Sequence, residues 1–187
     1  MPRKHGPWTI RKTVEKHRDD FIEVYEDHVI RPDGELGTYV NVKLKAGVSV
    51  LPIEPDGTVY LTRQFRYAKG AQSIEAVSGG IDSDDALLCA RRELHEELGI
   101  EAKELIGLGQ MEMDTSIINS PVNLFLAREL RFTEAEQEGT ESIEMYKTTL
   151  ERATEMVLSS EITHSPSCVL ILKAALYLQR RKATARQ

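Results

Sequence analysis

Residues 92 to 100 read Arg-Glu-Leu-His-Glu-Glu-Leu-Gly-Ile and bring three carboxylates, Glu93, Glu96 and Glu97, within about one and a half helical turns. Glu93 and Glu97 are spaced i, i+4 and therefore share one helix face. Stacked like charges destabilise an isolated helix. The arrangement makes chemical sense when a hard cation lies against the acids, and an all-oxygen donor set suits Mg²⁺ or Mn²⁺. Taken singly, each acid reads as solvated helix surface. The spacing, together with the glycine pair Gly79-Gly80 upstream, turns the reading toward a metal site.

The helix that must position these acids is marked at both ends. Asp82, Ser83, Asp84 and Asp85 crowd its start, where acids cap open amides and oppose the dipole. Leu87, Ala90, Leu94 and Leu98 form its apolar stripe, and Gly99 is a C-terminal stop. Before it, residues 47–53 and 59–65 read as strands around the turn Glu54-Pro55-Asp56-Gly57, and residues 73–77 as a short strand. After it, residues 105–113 and 121–130 read as strands joined by a loop over 114–120. Residues 132–140 form an acidic segment, 143–148 a further strand and 150–158 a helix. Ser165-Pro166 opens a terminal helix to about Arg181, with the serine as N-cap and the proline at the first helical position. Strands flanking an internal helix, with two helices at the end, predict a mixed sheet covered on both faces. Ahead of all this, residues 21–30 and 39–44 alternate around Arg31-Pro32-Asp33-Gly34 and predict an antiparallel hairpin. It is too small to stand alone, so the main domain or a second subunit must cover it.

Composition bounds the function. The 187 residues suit one domain with a small appendage. A net charge of −6 argues against a broad nucleic-acid footprint, and the basic residues near both ends read as solvated termini. Cys89 and Cys168 fit neither a zinc spacing nor a disulfide framework, which points to a reducing, cytoplasmic compartment. Residues 1–20 lack an apolar signal core, and the apolar stretch 168–178 is interrupted by Lys173 and too short for a bilayer. No membrane association is expected.

Arg92-Glu93-Leu94-x-Glu96-Glu97-x-Gly99-Ile100 resembles the second half of the Nudix box. The first half departs from the family pattern: Gly79 is followed by five residues, then Asp85 where a glutamate is usual, and six residues rather than seven before Arg92. Gln64-Phe65-Arg66, the run Glu75-x-x-Ser78-Gly79-x-Ile81-Asp82, residues 123–130, residues 138–144 and the two final helices are similar to the ADP-ribose pyrophosphatase branch of that family. The likeness covers about residues 45–178. It implies an α/β (α+β) Nudix fold, an α/β/α sandwich with a mixed sheet and an N-terminal antiparallel β-hairpin extension. The expected organisation is an extension over 1–45 that forms a homodimer, a Nudix domain over 46–182 and a flexible tail over 183–187. A serine–proline–glycine motif common in the branch is replaced here by Asp114-Thr115-Ser116-Ile117-Ile118-Asn119-Ser120, which, with the altered box, leaves the substrate open.

The resemblance implies metal-dependent hydrolysis of a pyrophosphate bond in a nucleoside diphosphate linked to a sugar, with ADP-ribose, split to AMP and ribose 5-phosphate, first. Another nucleotide sugar or dinucleotide such as GDP-mannose is the alternative enzyme reading, and a weakly active nucleotide-binding domain is the third. By the resemblance Glu93 and Glu97 are the main ligands of Mg²⁺ or Mn²⁺, Glu96 is a further ligand or supporting acid, the Ser78 carbonyl is a backbone ligand, and Arg92 orients a neighbouring acid. Glu141, with Glu138 second, is the expected water-activating base. Arg66 suits a phosphate because its guanidinium forks onto two oxygens. Gln64 stands in the same segment, Arg63 is a weaker candidate, and Glu75 suits a ribose or the surroundings of the metal. Phe65, Tyr67 and Trp8 can offer a base an aromatic face, with core packing as the plainer reading of each. His95 and His164 read as surface and loop residues.

Overall fold

The computed structural model describes residues 1–82, 85–137 and 142–184. Along the chain run β1 (Arg3–His5), β2 (Trp8–Arg18), β3 (Ile22–Ile30), β4 (Leu36–Leu44), β5 (Gly47–Pro52), β6 (Thr58–Arg66), β7 (Ala71–Glu75) and β8 (Val77–Gly80). Then come α1 (Ala86–Leu98), β9 (Ile100–Asp114), β10 (Ile118–Phe132), β11 (Glu144–Thr149), α2 (Leu150–Leu158) and α3 (Ser165–Thr184). The chain divides into two compact units, Met1–Ala46 with Glu112–Pro121, and Gly47–Met111 with Val122–Gln187.

In the first unit β1 to β4 form an antiparallel meander. The expected hairpin is β3–β4, paired from Ile22↔Leu44 to Ile30↔Leu36, and β1 and β2 enlarge it. Its turn closes through Gly34 N–H to the Arg31 carbonyl at 3.0 Å, with Gly34 at φ 89°, a value that suits glycine. Asp27 is buried and accepts hydrogen bonds from the Thr13 hydroxyl and, at 3.1 Å, from Asn41 Nδ2. The loop expected over 114–120 shrinks to a turn at 115–117. Asp114 Oδ1 accepts from Ser116 N at 2.7 Å and Ser116 Oγ at 2.6 Å, and Ile118 and Asn119 then pair in parallel with Val42 and Lys43.

The second unit is an α/β/α sandwich, and strand alternation assigns each residue to a side. Val48 and Val50 of β5, with Phe125 and Ala127 of β10, pack against Ala90, Leu94 and Leu98 of α1. Leu51 and Ile53, with Leu124 and Leu126, pack the other way, against Ala153 and Met156 of α2 and Leu170, Ile171 and Ala174 of α3. β10 runs parallel to β5 and β8 antiparallel to it, so the sheet is mixed as expected. A separate three-stranded sheet has the order β11-β6-β7. Ala76 lies between β7 and β8, where the chain leaves one sheet for the other. No helix among the described residues is long and apolar enough to cross a membrane.

Candidate functional site

α1 begins at Asp85, whose Oδ1 accepts from Leu87 N at 2.9 Å and Leu88 N at 3.3 Å. The aspartate that replaces the usual glutamate therefore serves as the N-cap, a role its short side chain suits. Ser83 and Asp84, expected to help, lie outside the described residues. Leu87 does not join the apolar stripe: it sits in the first turn, 45% exposed, and the buried face begins at Cys89. Gly99 ends the helix at φ 61° with its N–H on the His95 carbonyl. A Cβ there would lie 2.4 Å from the Thr133 carbonyl oxygen, so this stop also makes room for the segment that follows β10.

Glu93 and Glu97 lie on the buried face of α1, 9% and 5% exposed. Buried carboxylates persist only where the surroundings compensate their charge. Part of that compensation is Arg92, whose Nη2 is 2.7 Å from Glu93 Oε1 and 3.2 Å from Asp82 Oδ2, and whose Nη1 is 2.8 Å from Glu96 Oε2. Burial works against the Arg92 charge, but Glu93, Glu96 and Asp82 outweigh it and raise its pKa further. Arg92 thus bridges Glu93 and Glu96, with Asp82 as an unexpected third acid. Across from Glu93 is the bare backbone of β8: a Cβ on Gly79 would lie 2.0 Å from Glu93 Cδ. Ser78 precedes it, its hydroxyl donating to the Ala76 carbonyl at 2.9 Å and lying 3.1 Å from the Ser49 hydroxyl, which can donate to it.

This donor set fits a small hard cation. Among the described residues no three His, Cys, Asp or Glu side chains form a metal cage by themselves. Mg²⁺ needs no such cage, because it is held through one or two carboxylates, with waters and substrate phosphates completing its shell. Glu93 and Glu97 supply two buried carboxylates, and Gly79 keeps a side chain from filling the space beside Glu93.

A second cluster lies on β6 and β7. Arg66 Nη2 is 2.6 Å from Glu75 Oε2, and its Nε is 3.2 Å from both carboxylate oxygens. Glu75 is 3% exposed. Burial pushes its carboxyl pKa upward, but hydrogen bonds from Arg66 and the charges of His164 and Arg66 win, and the net shift is downward. Gln64 is buried on the same face of β6. Arg63 is on the other face, 4.7 Å from the Tyr146 ring centroid and 3.5 Å from Glu144, so it is not brought together with Glu75. Phe65 and Tyr67 are not core residues: they are exposed, at 57% and 95%, because one faces outward from β6 and the other lies in the turn beyond it. Trp8 is half-buried in the first unit, edge-on to Tyr39.

Sequence reasoning missed His164 and Ser167. His164 Nδ1 lies 3.5 Å from Glu75 Oε2 and 2.8 Å from Ser167 Oγ. Ser167 Oγ accepts the Ala76 N–H at 2.8 Å. Leaving that buried amide unpaired would cost about 1–3 kcal/mol. The Cys168 N–H bonds the His164 carbonyl, so His164 rather than Ser165 heads α3. Only the Ser-Pro helix start beside a histidine could have hinted at this. Gln137 was also missed: its Nε2 donates to the carbonyls of Glu97 and Ile143 at 3.1 and 2.8 Å. It closes the described ends of the acidic segment onto α1. Glu138 and Glu141, the expected bases, lie outside the described residues. His95 is at the surface between Thr133 and Glu136, as expected. A cleft of about 520 Å³ lined by Arg91, Glu101, Lys103, Glu129 and Arg131 holds none of the site residues.

A family model described as the NUDIX domain matches residues 43–151. ADP-ribose pyrophosphatase of Bacillus subtilis (strain 168) is 29% identical over 179 residues, covering 90% of this chain and 97% of that protein. GDP-mannose pyrophosphatase of Escherichia coli (strain K12) is 30% identical over 123 residues, 61% of this chain and 64% of that one. A solved structure described as an ADP compounds hydrolase superposes with a TM-score of 0.83 at 18% identity, over 96% of this chain and 98% of the other, and establishes likeness of fold. The buried acids of α1, the glycine beside them and the sandwich that holds both therefore belong to a member of the Nudix family, a Nudix pyrophosphohydrolase of the ADP-ribose pyrophosphatase-like branch.

Proposed function

We propose that the protein hydrolyses the pyrophosphate bond of a nucleoside diphosphate linked to a sugar, with ADP-ribose as the first substrate, in a reaction that depends on Mg²⁺ or Mn²⁺. The observation that carries the metal part is the pair Glu93 and Glu97, buried on one face of α1 with Gly79 clearing the space beside Glu93. The substrate is supported by likeness to the B. subtilis ADP-ribose pyrophosphatase over nearly the full length of both chains. A nucleotide sugar such as GDP-mannose is the second reading, supported by the shorter match to the E. coli enzyme.

Glu93 and Glu97 would hold the ion, with Glu96 in support and the Ser78 carbonyl as a backbone donor. A divalent ion there supplies charge neutralisation for the phosphates and makes bound water more acidic. Arg92 keeps Glu93 and Glu96 in place. Arg66, a half-exposed guanidinium steadied from below by Glu75, is aimed at a phosphate; Gln64 and Glu75 complete this face. Arg63, on the other face of β6, is the weaker candidate for a substrate contact. Glu141, or Glu138, takes the proton of the attacking water. Water adds to phosphorus, the bridging P–O bond breaks, and AMP and ribose 5-phosphate leave. We assign residues 1–45 to an extension, 46–182 to the catalytic domain and 183–187 to a tail. Exposed Phe21, Leu36 and Val40 on the first unit support a homodimer through the extension.

The test is turnover of a nucleotide-sugar panel with Mg²⁺, product phosphate being released by an added phosphatase. ADP-ribose should turn over fastest, and EDTA should abolish the rate until Mg²⁺ or Mn²⁺ is restored. Absence of turnover with every member, while nucleotide still binds, would overturn the reading.

A further inference from the structure

Three contacts tie the start of α3 to the β6–β7 hairpin. Lys69 Nζ, in the turn between the strands, donates to Thr163 Oγ1 at 3.2 Å. His164 Nδ1 faces Glu75 Oε2 at 3.5 Å, and Ser167 Oγ accepts the Ala76 N–H at 2.8 Å. They fall where the chain passes from one sheet to the other, so Ala76 has no strand partner and needs this bond from a helix. Ser167 is fully buried and satisfies the backbone there. His164 acts on a side chain instead. It stands beside the carboxylate oxygen that Arg66 Nη2 meets at 2.6 Å.

We propose that His164 is a positioning residue: it fixes the Glu75 carboxylate, and through it the direction of the Arg66 guanidinium toward substrate phosphate. The inference rests on the assignment of Arg66 and Glu75 to substrate binding made above. A carboxylate can rotate about its last bonds, and a guanidinium paired with it follows. Glu75 Oε2 meets both the Arg66 fork and the imidazole. The Ser167 hydroxyl in turn fixes the imidazole, since Nδ1 and Oγ are 2.8 Å apart. Burial lowers the His164 pKa, with Arg66 adding to the effect against the pull of Glu75, so a neutral ring suits this place. An Nδ1–H on that ring would donate to Ser167 Oγ at 2.8 Å and lie beside Glu75 Oε2 at 3.5 Å.

The decisive variants are His164→Leu, which keeps bulk and removes the nitrogen, and His164→Asn, whose amide can replace the Nδ1 donor. The His164 side chain is 24% exposed, and His164→Ala serves as a second removal variant. For the substrate turned over by the wild type, His164→Leu and His164→Ala should raise KM about tenfold while kcat stays within about threefold, and His164→Asn should restore KM to within about threefold. In a Glu75→Gln background His164→Leu should add little, because the two act through one carboxylate. The Arg66 Nε–H resonance of the whole protein gives a readout that needs no turnover: it should shift in His164→Leu and return in His164→Asn. An unchanged KM, an additive effect in the Glu75→Gln background, or an unmoved Arg66 resonance would overturn the proposal. If the wild type turns over no nucleotide sugar, the functional reading falls, and the Arg66 resonance still decides the positioning.

Discussion

The two arginine–carboxylate clusters of the second unit balance their charges differently. At α1 one guanidinium, Arg92, is shared among Asp82, Glu93 and Glu96, and Glu97 is buried nearby on the same helix face. Acid is in excess there, and a buried excess of acid is an affinity for cations. At β6–β7, Arg66 meets one carboxylate, Glu75, beside a histidine whose pKa burial holds down. That pairing is close to neutral, and its outer member is the cation. Under the proposed function, one cluster would receive positive charge and the other would present it. A pyrophosphate with its metal ion needs both.

The largest expected effect breaks the first cluster. Glu97→Gln keeps shape and removes charge, and should lower kcat/KM about a thousandfold at limiting Mg²⁺, because several kcal/mol of transition-state stabilisation pass through the ion. An unchanged initial rate would remove Glu97 from the metal site. The matching change in the second cluster, Arg66→Ala, should raise KM about tenfold to a hundredfold and move kcat less, as expected for loss of a charge-assisted contact of about 1.5–3 kcal/mol. A kcat loss as deep as that of Glu97→Gln would erase the contrast between the clusters.

Gly79→Ala tests the space between strand and helix. Its Cβ cannot coexist with the Glu93 carboxylate where it now lies, so the variant should lose about 1–3 kcal/mol of stability, read as a lower Tm, and activity as well. Asp85→Ala should be milder: loss of the N-cap costs about 1 kcal/mol, or about 2–4 °C in Tm, with kcat unchanged.

The smallest effect is in pH. Folding lowers the pKa of His164 and of Glu75, so both favour the native state at higher pH. The His164 contribution is complete above about pH 6.5 and is lost as pH falls below that value. The Glu75 contribution is complete above its unfolded value of 4.5 and is lost as pH falls through its lower folded value. A Tm–pH curve should therefore flatten near pH 6 in His164→Leu and at lower pH in Glu75→Gln. A slope of unchanged size in either variant would assign the acid sensitivity to other groups.

The contrast between the clusters extends to how each can be read. Glu93, Glu96 and Glu97 are neighbours in the chain, so helical periodicity alone places two of them on one face, and Gly99 marks the end of that helix. The mixed sheet was equally legible, because strands flank an internal helix and two helices end the chain. The first unit was legible only as a hairpin: β2 is largely exposed, and its strand partners, not a buried face, define it. The short turn at 115–117 was read as a longer loop because Ile118 and Asn119 gain their partners from β4, far away in sequence. Phe65 and Tyr67 read as core residues from their type, but the strand face and the turn that carry them point outward.

By itself the sequence determined the acids, their shared face and the glycine-marked helix, since these follow from local geometry over a few residues. Tertiary structure alone decided that Gly79 opens the space beside Glu93, that Arg92 gathers Asp82 as well as its own neighbours, and that His164 and Ser167 meet Glu75 and Ala76. Those contacts join residues about 10 to 90 positions apart, and only the packing of α1 and α3 on their strands brings such residues together.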